Sequence, residues 1–169
     1  MKKLIVIIAI SVFAVTGAFS QVNKFMAMYI YNFSRLVEWP EEYRSGNFVI
    51  GTIGNTSLNY EMEMFVRNKK TGNQEFYVKS FDDVSSISKC NILFVADSEK
   101  NNFDAILNKL YGTNTLIITE DKELINKGAV ISFTLVEGKL KFYYNSENAR
   151  KSGLKVSTSL ENMALANSE

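Results

Sequence analysis

The 169-residue chain carries 19 Lys and Arg against 18 Asp and Glu, is 46% hydrophobic and 12% aromatic, and contains no histidine. That composition excludes a disordered chain and fits one ordinary core, while the near-neutral balance leaves no basic footprint for nucleic acid. The missing imidazole removes the usual general base near neutral pH, the usual zinc ligand and the usual partner of a Ser or Cys nucleophile, so no enzymatic activity, metal or cofactor is expected.

The chain opens on Lys2 and Lys3, runs through an almost unbroken apolar stretch from Leu4 to Val15, and reaches Ala18-Phe19-Ser20. Small residues thus stand at the minus-three and minus-one places before Gln21. This order is that of a secretory signal peptide over residues 1–20. The apolar run is roughly a dozen residues, short of the roughly 20 that span a hydrocarbon core. No cysteine near Gln21 offers a lipid anchor. The mature chain is therefore expected to be exported, to span no membrane after cleavage, and to form a single domain over residues 21–169. Losing Lys2 and Lys3 takes the formal charge from +1 to −1. Cys90 is the only cysteine, so no disulfide forms within the chain and the core must hold the fold.

Val22, Phe25, Met26, Tyr29, Ile30, Phe33, Leu36 and Val37 recur at steps of three and four, which predicts an amphipathic helix with a broad apolar face. Pro40 stops it and biases Trp39 toward extended backbone, and Glu41 to Asn47 reads as a polar loop. Phe48 to Ile53 is a strand, Leu58 to Val66 a helix, and Glu75 to Val78 a short strand. Asp82-Asp83 opens a helical turn. Cys90 to Val95 and Thr115 to Thr119 are apolar runs suited to strands covered on both faces, with a helix from Phe103 to Leu110 between them.

From Ala129 the periodicity becomes that of a hairpin. Val130 to Val136 and Leu140 to Tyr144 flank Glu137-Gly138, a two-residue connection whose glycine suits a positive φ. Two short helices, Ser146 to Ser152 and Ser157 to Ala166, close the chain. Strands alternating with helices and then a hairpin predict an α/β fold: a three-layer α/β/α sandwich whose mixed, mostly parallel sheet ends in that hairpin.

Several residues admit two readings. Trp39-Pro40 suits either an interface anchor or a helix stop with a core-facing indole. Tyr31, Asn32, Arg35 and Glu38 form the stripe opposite the apolar face, a solvated surface or a partner surface, with Arg35 within one turn of Asn32 and Glu38. Gly54 and Asn55 follow a strand and precede a helix, where α/β folds present backbone amides to anions, yet a tight turn explains them too. Asp97, Glu120 and Asp121 fall at the carboxyl ends of the central strands, as an acidic rim or as helix caps. With Gly54 and Asn55, Asp97 and Asp121 outline a candidate ligand cleft. Cys90 opens a buried strand, where a thiol packs as a small apolar group.

The segment Tyr31-Asn32-Phe33 followed by Val37-Glu38-Trp39-Pro40 resembles the opening helix signature of the YfiR-like family of exported bacterial proteins. Matches continue in order through Phe48-Val49-Ile50-Gly51, Cys90-Asn91-Ile92-Leu93-Phe94, Leu116 to Thr119, Gly128 to Ile131, Lys141-Phe142 through Asn145, and Leu160 to Ala164. The resemblance implies an α/β/α fold, no catalysis, a periplasmic location, and repression of a membrane-bound diguanylate cyclase through contact with its extracytoplasmic sensor domain. The first expectation is thus a periplasmic regulator of a cyclase or sensor kinase, touching its partner through Tyr31, Asn32, Arg35, Glu38, Trp39 and Pro40. The second is a small-ligand module that senses a cell-wall fragment or metabolite at Gly54, Asn55, Asp97 and Asp121. Pairing of the Leu140 to Tyr144 edge with a second copy would give a homodimer.

Overall fold

The computed structural model describes residues 21–165, and the signal peptide expected over residues 1–20 lies outside them, as does Ala166 at the end of the last expected helix. Residues 21–36 are helical (α1). The helix gives way before Pro40 because Val37–Glu38 (β1) turns extended and pairs antiparallel with Lys155–Val156 (β9), an exchange that the local sequence does not announce. The Ser157 amide closes the junction by donating to the Leu36 carbonyl at 2.9 Å. The expected loop after Pro40 holds a 3-10 turn at Glu41–Tyr43 whose Tyr43 is buried.

Phe48–Ile53 (β2) and Leu58–Val66 (α2) form where the periodicity puts them. The next strand is longer than its alternation suggests. Lys70–Thr71 (β3) turns back through Gly72 into Gln74–Phe81 (β4), which runs parallel to β2 along its whole length, from Phe48 opposite Phe76 to Ile53 opposite Phe81. Ile92–Val95 (β5), Phe103–Lys109 (α3) and Leu116–Thr119 (β6) follow, with a 3-10 stretch over Asp97–Asn102 leading into α3. Asp83 closes a turn by accepting from the Ser86 amide and the Ser85 hydroxyl. Ile131–Val136 (β7) and Lys139–Tyr144 (β8) make the hairpin, and Ser146–Lys151 (α4) and Thr158–Met163 (α5) end the described chain.

The strands assemble a seven-stranded sheet in the order β3-β4-β2-β5-β6-β7-β8, parallel from β4 to β7 and antiparallel at both ends. Because side chains alternate across a strand, β5 sends Ile92 and Phe94 to one face and Leu93 and Val95 to the other. The first face packs under α1, α2 and α5, with Ile30, Phe33, Met62 and Leu160 fully buried. The second packs against α3 and the 3-10 turn Lys122–Ile125, through Phe103, Ile106 and Leu124. This is the α/β/α layering expected. Each fully buried Phe or Leu in these layers contributes about 1.5–3 kcal/mol over an exposed one.

Gly51 makes the second layer close. A Cβ there would stand 2.5 Å from the Phe81 ring, so the absent side chain lets Phe81 cross the middle of β2.

Candidate docking site

Exposed apolar side chains gather where α1 crosses the β7-β8 hairpin. β6 pairs with β7 only at Ile118 opposite Ile131 and Thr119 opposite Ser132, so β7 from Phe133 to Val136 and its partner β8 overhang the sheet. The turn takes both residues into positive φ, Glu137 at 51° and Gly138 at 73°, the two-residue connection whose twist matches that of the strands. The overhang leaves Leu135 57% and Val136 39% exposed at its tip.

Two grooves meet on this overhang. One, of about 670 Å³, runs between α1 and the outer edge of β8 and is lined by Val22, Phe25, Met28, Tyr29, Leu135 and Leu140, with Lys139 and Lys141 as its charged residues. The other, of about 510 Å³, shares Val22, Leu135 and Leu140 and adds Met26, Phe133 and Glu120. Phe25 belongs to the apolar stripe of α1, which the sequence assigns to the core, yet it is 44% exposed. The stripe is wider than the sheet beneath it can cover. Behind the groove, Tyr29 packs on Phe33, Phe133 and Phe142 at centroid distances of 5.9, 6.0 and 5.6 Å, which fixes α1 against the hairpin. Burial pushes the Glu120 carboxyl up, the nearby Asp97 charge adds to the rise, and the Asp97 amide opposes it by donating to the carboxylate.

The residues singled out in the sequence fall elsewhere. Trp39 is 4% exposed, stacks edge-on to Phe48 at 5.0 Å and donates from Nε1 to the Asn91 carbonyl at 3.2 Å, so it anchors the core instead of a partner. Tyr31 is half-buried between Phe65 and Phe76, each ring 5.7 Å away, with the Lys69 ammonium 4.9 Å from its centroid. Asn32 and Pro40 are partly covered, and Arg35 and Glu38 are exposed. Glu38 is held by Arg44 at 2.6 Å, not by Arg35 one turn away, because Arg44 Nε also donates to the Trp39 carbonyl at 2.7 Å. Arg35, Glu38 and Trp39 line one pocket of about 460 Å³ together with Arg44, while Tyr31 lies against Phe65 and Phe76.

At the strand rim, where a ligand cleft is expected, the chain packs closely around Gly54. Gly54 has φ 94°, and a Cβ there would stand 2.6 Å from Ser98 Oγ and 2.7 Å from Glu99 Cγ. The Asn55 amide, which an anion would need, donates to Ser98 Oγ at 2.9 Å. Asp97 is an exposed partner of Lys100 at 3.7 Å, and Asp121 caps the following 3-10 turn by accepting from the Glu123 amide at 2.9 Å. The cap reading holds for Asp121 alone; Asp97 is the first residue of its 3-10 stretch, whose N-cap position is Ala96 and carries no side-chain cap bond. Cys90 is buried, and burial pushes its thiol from 9.0 up to about 12, against smaller lowering effects of Thr115 and Lys79. Among the described residues no helix is long and apolar enough to cross a membrane.

The sequence profile of the family described as DUF4154, YfiR/HmsC-like, matches residues 23–165. The chain belongs to the YfiR/HmsC-like family. That family is regulatory, not catalytic. No curated protein resembles the chain closely enough to count as a match. Among solved structures, an ABC domain from Streptococcus pneumonia in complex with L-Trp is 12% identical with a TM-score of 0.51, over 69% of this chain and 53% of that one. A conserved domain protein from Vibrio cholerae O1 biovar El Tor is 10% identical with a TM-score of 0.58, over 82% of this chain and 58% of that one. The YfiR/HmsC-like chain thus spans little more than half the length of either, and the likeness is one of fold.

Of the groove residues, the sequence singles out Leu140 as part of a pairing edge for a second copy, whereas Phe25 and Leu135 are not singled out as surface residues. A signal for them exists in the apolar Leu135-Val136 pair beside the Glu137-Gly138 turn, a place where tips are usually polar.

Proposed function

We propose that the mature protein is an exported periplasmic regulator that acts by contact on a membrane-bound signalling protein, a diguanylate cyclase or a sensor kinase. Membership of a regulatory family along residues 23–165 carries this reading. The character of the candidate site supports it. An apolar, lysine-edged surface on an overhanging hairpin suits a protein partner, and at the strand rim the Asn55 amide that an anion would need is taken by Ser98 Oγ.

The test is capture. Purified mature chain is mixed with the extracytoplasmic sensor domain of a membrane cyclase or kinase encoded beside it, and the gene is deleted in the parent cell. Binding together with a rise in the partner's output on deletion supports the reading. No binding and unchanged output would remove it.

A further inference from the structure

The β8 edge is half occupied already. The Asn145 amide donates to the Val130 carbonyl at 2.9 Å, which fixes the hydrogen-bonded phase of the hairpin ladder: residues 139, 141 and 143 turn their backbone groups toward β7, and Leu140 and Phe142 turn theirs outward. The outward phase is confirmed by Leu165, whose amide donates to the Phe142 carbonyl at 2.9 Å as it pairs in parallel with Tyr143. The chain's own Leu165 therefore occupies one half of this edge with a single parallel bridge. The other half, around Lys139 to Leu140, borders the 670 Å³ groove, where, among the described residues, the Tyr29 hydroxyl reaches the Leu140 carbonyl at 3.5 Å.

Resting on the regulatory reading above, we infer that this open half accepts an extended segment of the protein partner as an added strand, and that the segment alternates acidic and apolar residues. The alternation follows from the pleat. Leu140 and Phe142 face α1, so residues of the added strand on that side lie against Tyr29, Met28 and Phe25 and must be apolar. Lys139 and Lys141 face the other side, so the residues opposite them are carboxylates. Charge also decides against a second copy of this chain. Antiparallel self-pairing of the open segment about a two-fold axis normal to the sheet sets Lys139 opposite Lys141, or Lys141 opposite itself, and like charges directly opposite are unfavourable.

The test uses three capped hexapeptides on the mature chain labelled with nitrogen-15: one alternating glutamate with valine, one alternating lysine with valine, and the glutamate peptide N-methylated at alternate amides. The acidic peptide should shift the amide resonances of Leu140 and Phe142 and bind about tenfold more tightly than the lysine peptide at low salt. N-methylation of the face that meets β8 should abolish binding. The double variant Lys139→Glu with Lys141→Glu should invert the preference, a readout that does not depend on the strength of either peptide alone. Equal binding of acidic and basic peptides, binding that survives N-methylation, concentration-dependent dimerisation through β8, or no resonance shift at Leu140 and Phe142 at millimolar peptide would each overturn the inference. Failure here with capture of the sensor domain intact removes the strand-addition mode alone; failure of capture with peptide binding intact removes the regulatory reading alone.

Discussion

The indole N–H of Trp39 donates to the main-chain carbonyl of Asn91 at 3.2 Å, tying the exit of the first helix to the start of the central strand β5. Asn91 is itself spent entirely on structure. Its Oδ1 accepts the Val49 amide at 2.9 Å and its Nδ2 donates to the Tyr43 carbonyl at 3.2 Å, all in a site where Asn91 is 3% exposed. The two sequence signatures that contain Trp39 and Asn91 therefore meet in space, and their shared role is to hold the polar loop after Pro40 onto the sheet.

Replacing Asn91 with Ala strands the Val49 amide and leaves the Tyr43 carbonyl only the Gln74 Nε2 donor at 3.1 Å, and should cost about 2 kcal/mol in urea unfolding followed by circular dichroism. Trp39→Phe keeps a ring against Phe48 and loses the N–H donor, with an expected loss of about 1–2 kcal/mol. Equal, negligible costs in both variants would contradict the arrangement. As the single Trp, Trp39 also reports directly: its emission should be blue-shifted in the folded chain and move red on unfolding.

Cys90 should resist thiol reagents at pH 8 until the chain unfolds. The folded state keeps the neutral thiol while the unfolded chain ionises at its ordinary 9.0, so the contribution of this group is whole below about pH 9 and is lost as pH climbs toward 12. The stability difference between wild type and Cys90→Ala should therefore narrow over that window. Rapid labelling of the native chain at pH 8 would show that the thiol is not buried.

Glu137 adopts φ 51° although it carries a side chain. Glu137→Asn substitutes a residue that tolerates this conformation beside Gly138, and should raise stability by about 0.5 kcal/mol. Thermal unfolding measures it. A loss of stability would mean that the Glu137 side chain contributes something beyond its backbone.

Leu135 is 57% and Phe25 44% exposed, so Leu135→Asp and Phe25→Asp should change unfolding free energy by no more than about 0.5 kcal/mol. Both should nevertheless abolish capture of the partner, because a charge there is desolvated on docking. Retained capture by both would move the interface away from the groove.

Much of the fold could be read from the chain because its central strands are covered on both faces and its helices are periodic. Phe48 to Ile53 and Leu58 to Val66 needed nothing beyond local pattern. What escaped was long-range: Val37–Glu38 pairs with Lys155–Val156 across the whole chain, and β4 extends to Phe81 because β2 templates it, not because its own residues alternate cleanly. The site was less legible for a related reason. Trp39 has the composition of an interface anchor, and only the tertiary position of Asn91 makes it core. Conversely, Phe25 has the spacing of a core residue, and only the narrow reach of the hairpin beneath α1 leaves it exposed.

Regulation by contact at the hairpin groove is tested by calorimetric titration of the mature chain into the extracytoplasmic domain of a membrane cyclase or kinase found encoded beside it. Wild type should bind saturably, and Leu135→Asp of unchanged stability should not bind. No binding by wild type, or equal binding by both, would contradict it.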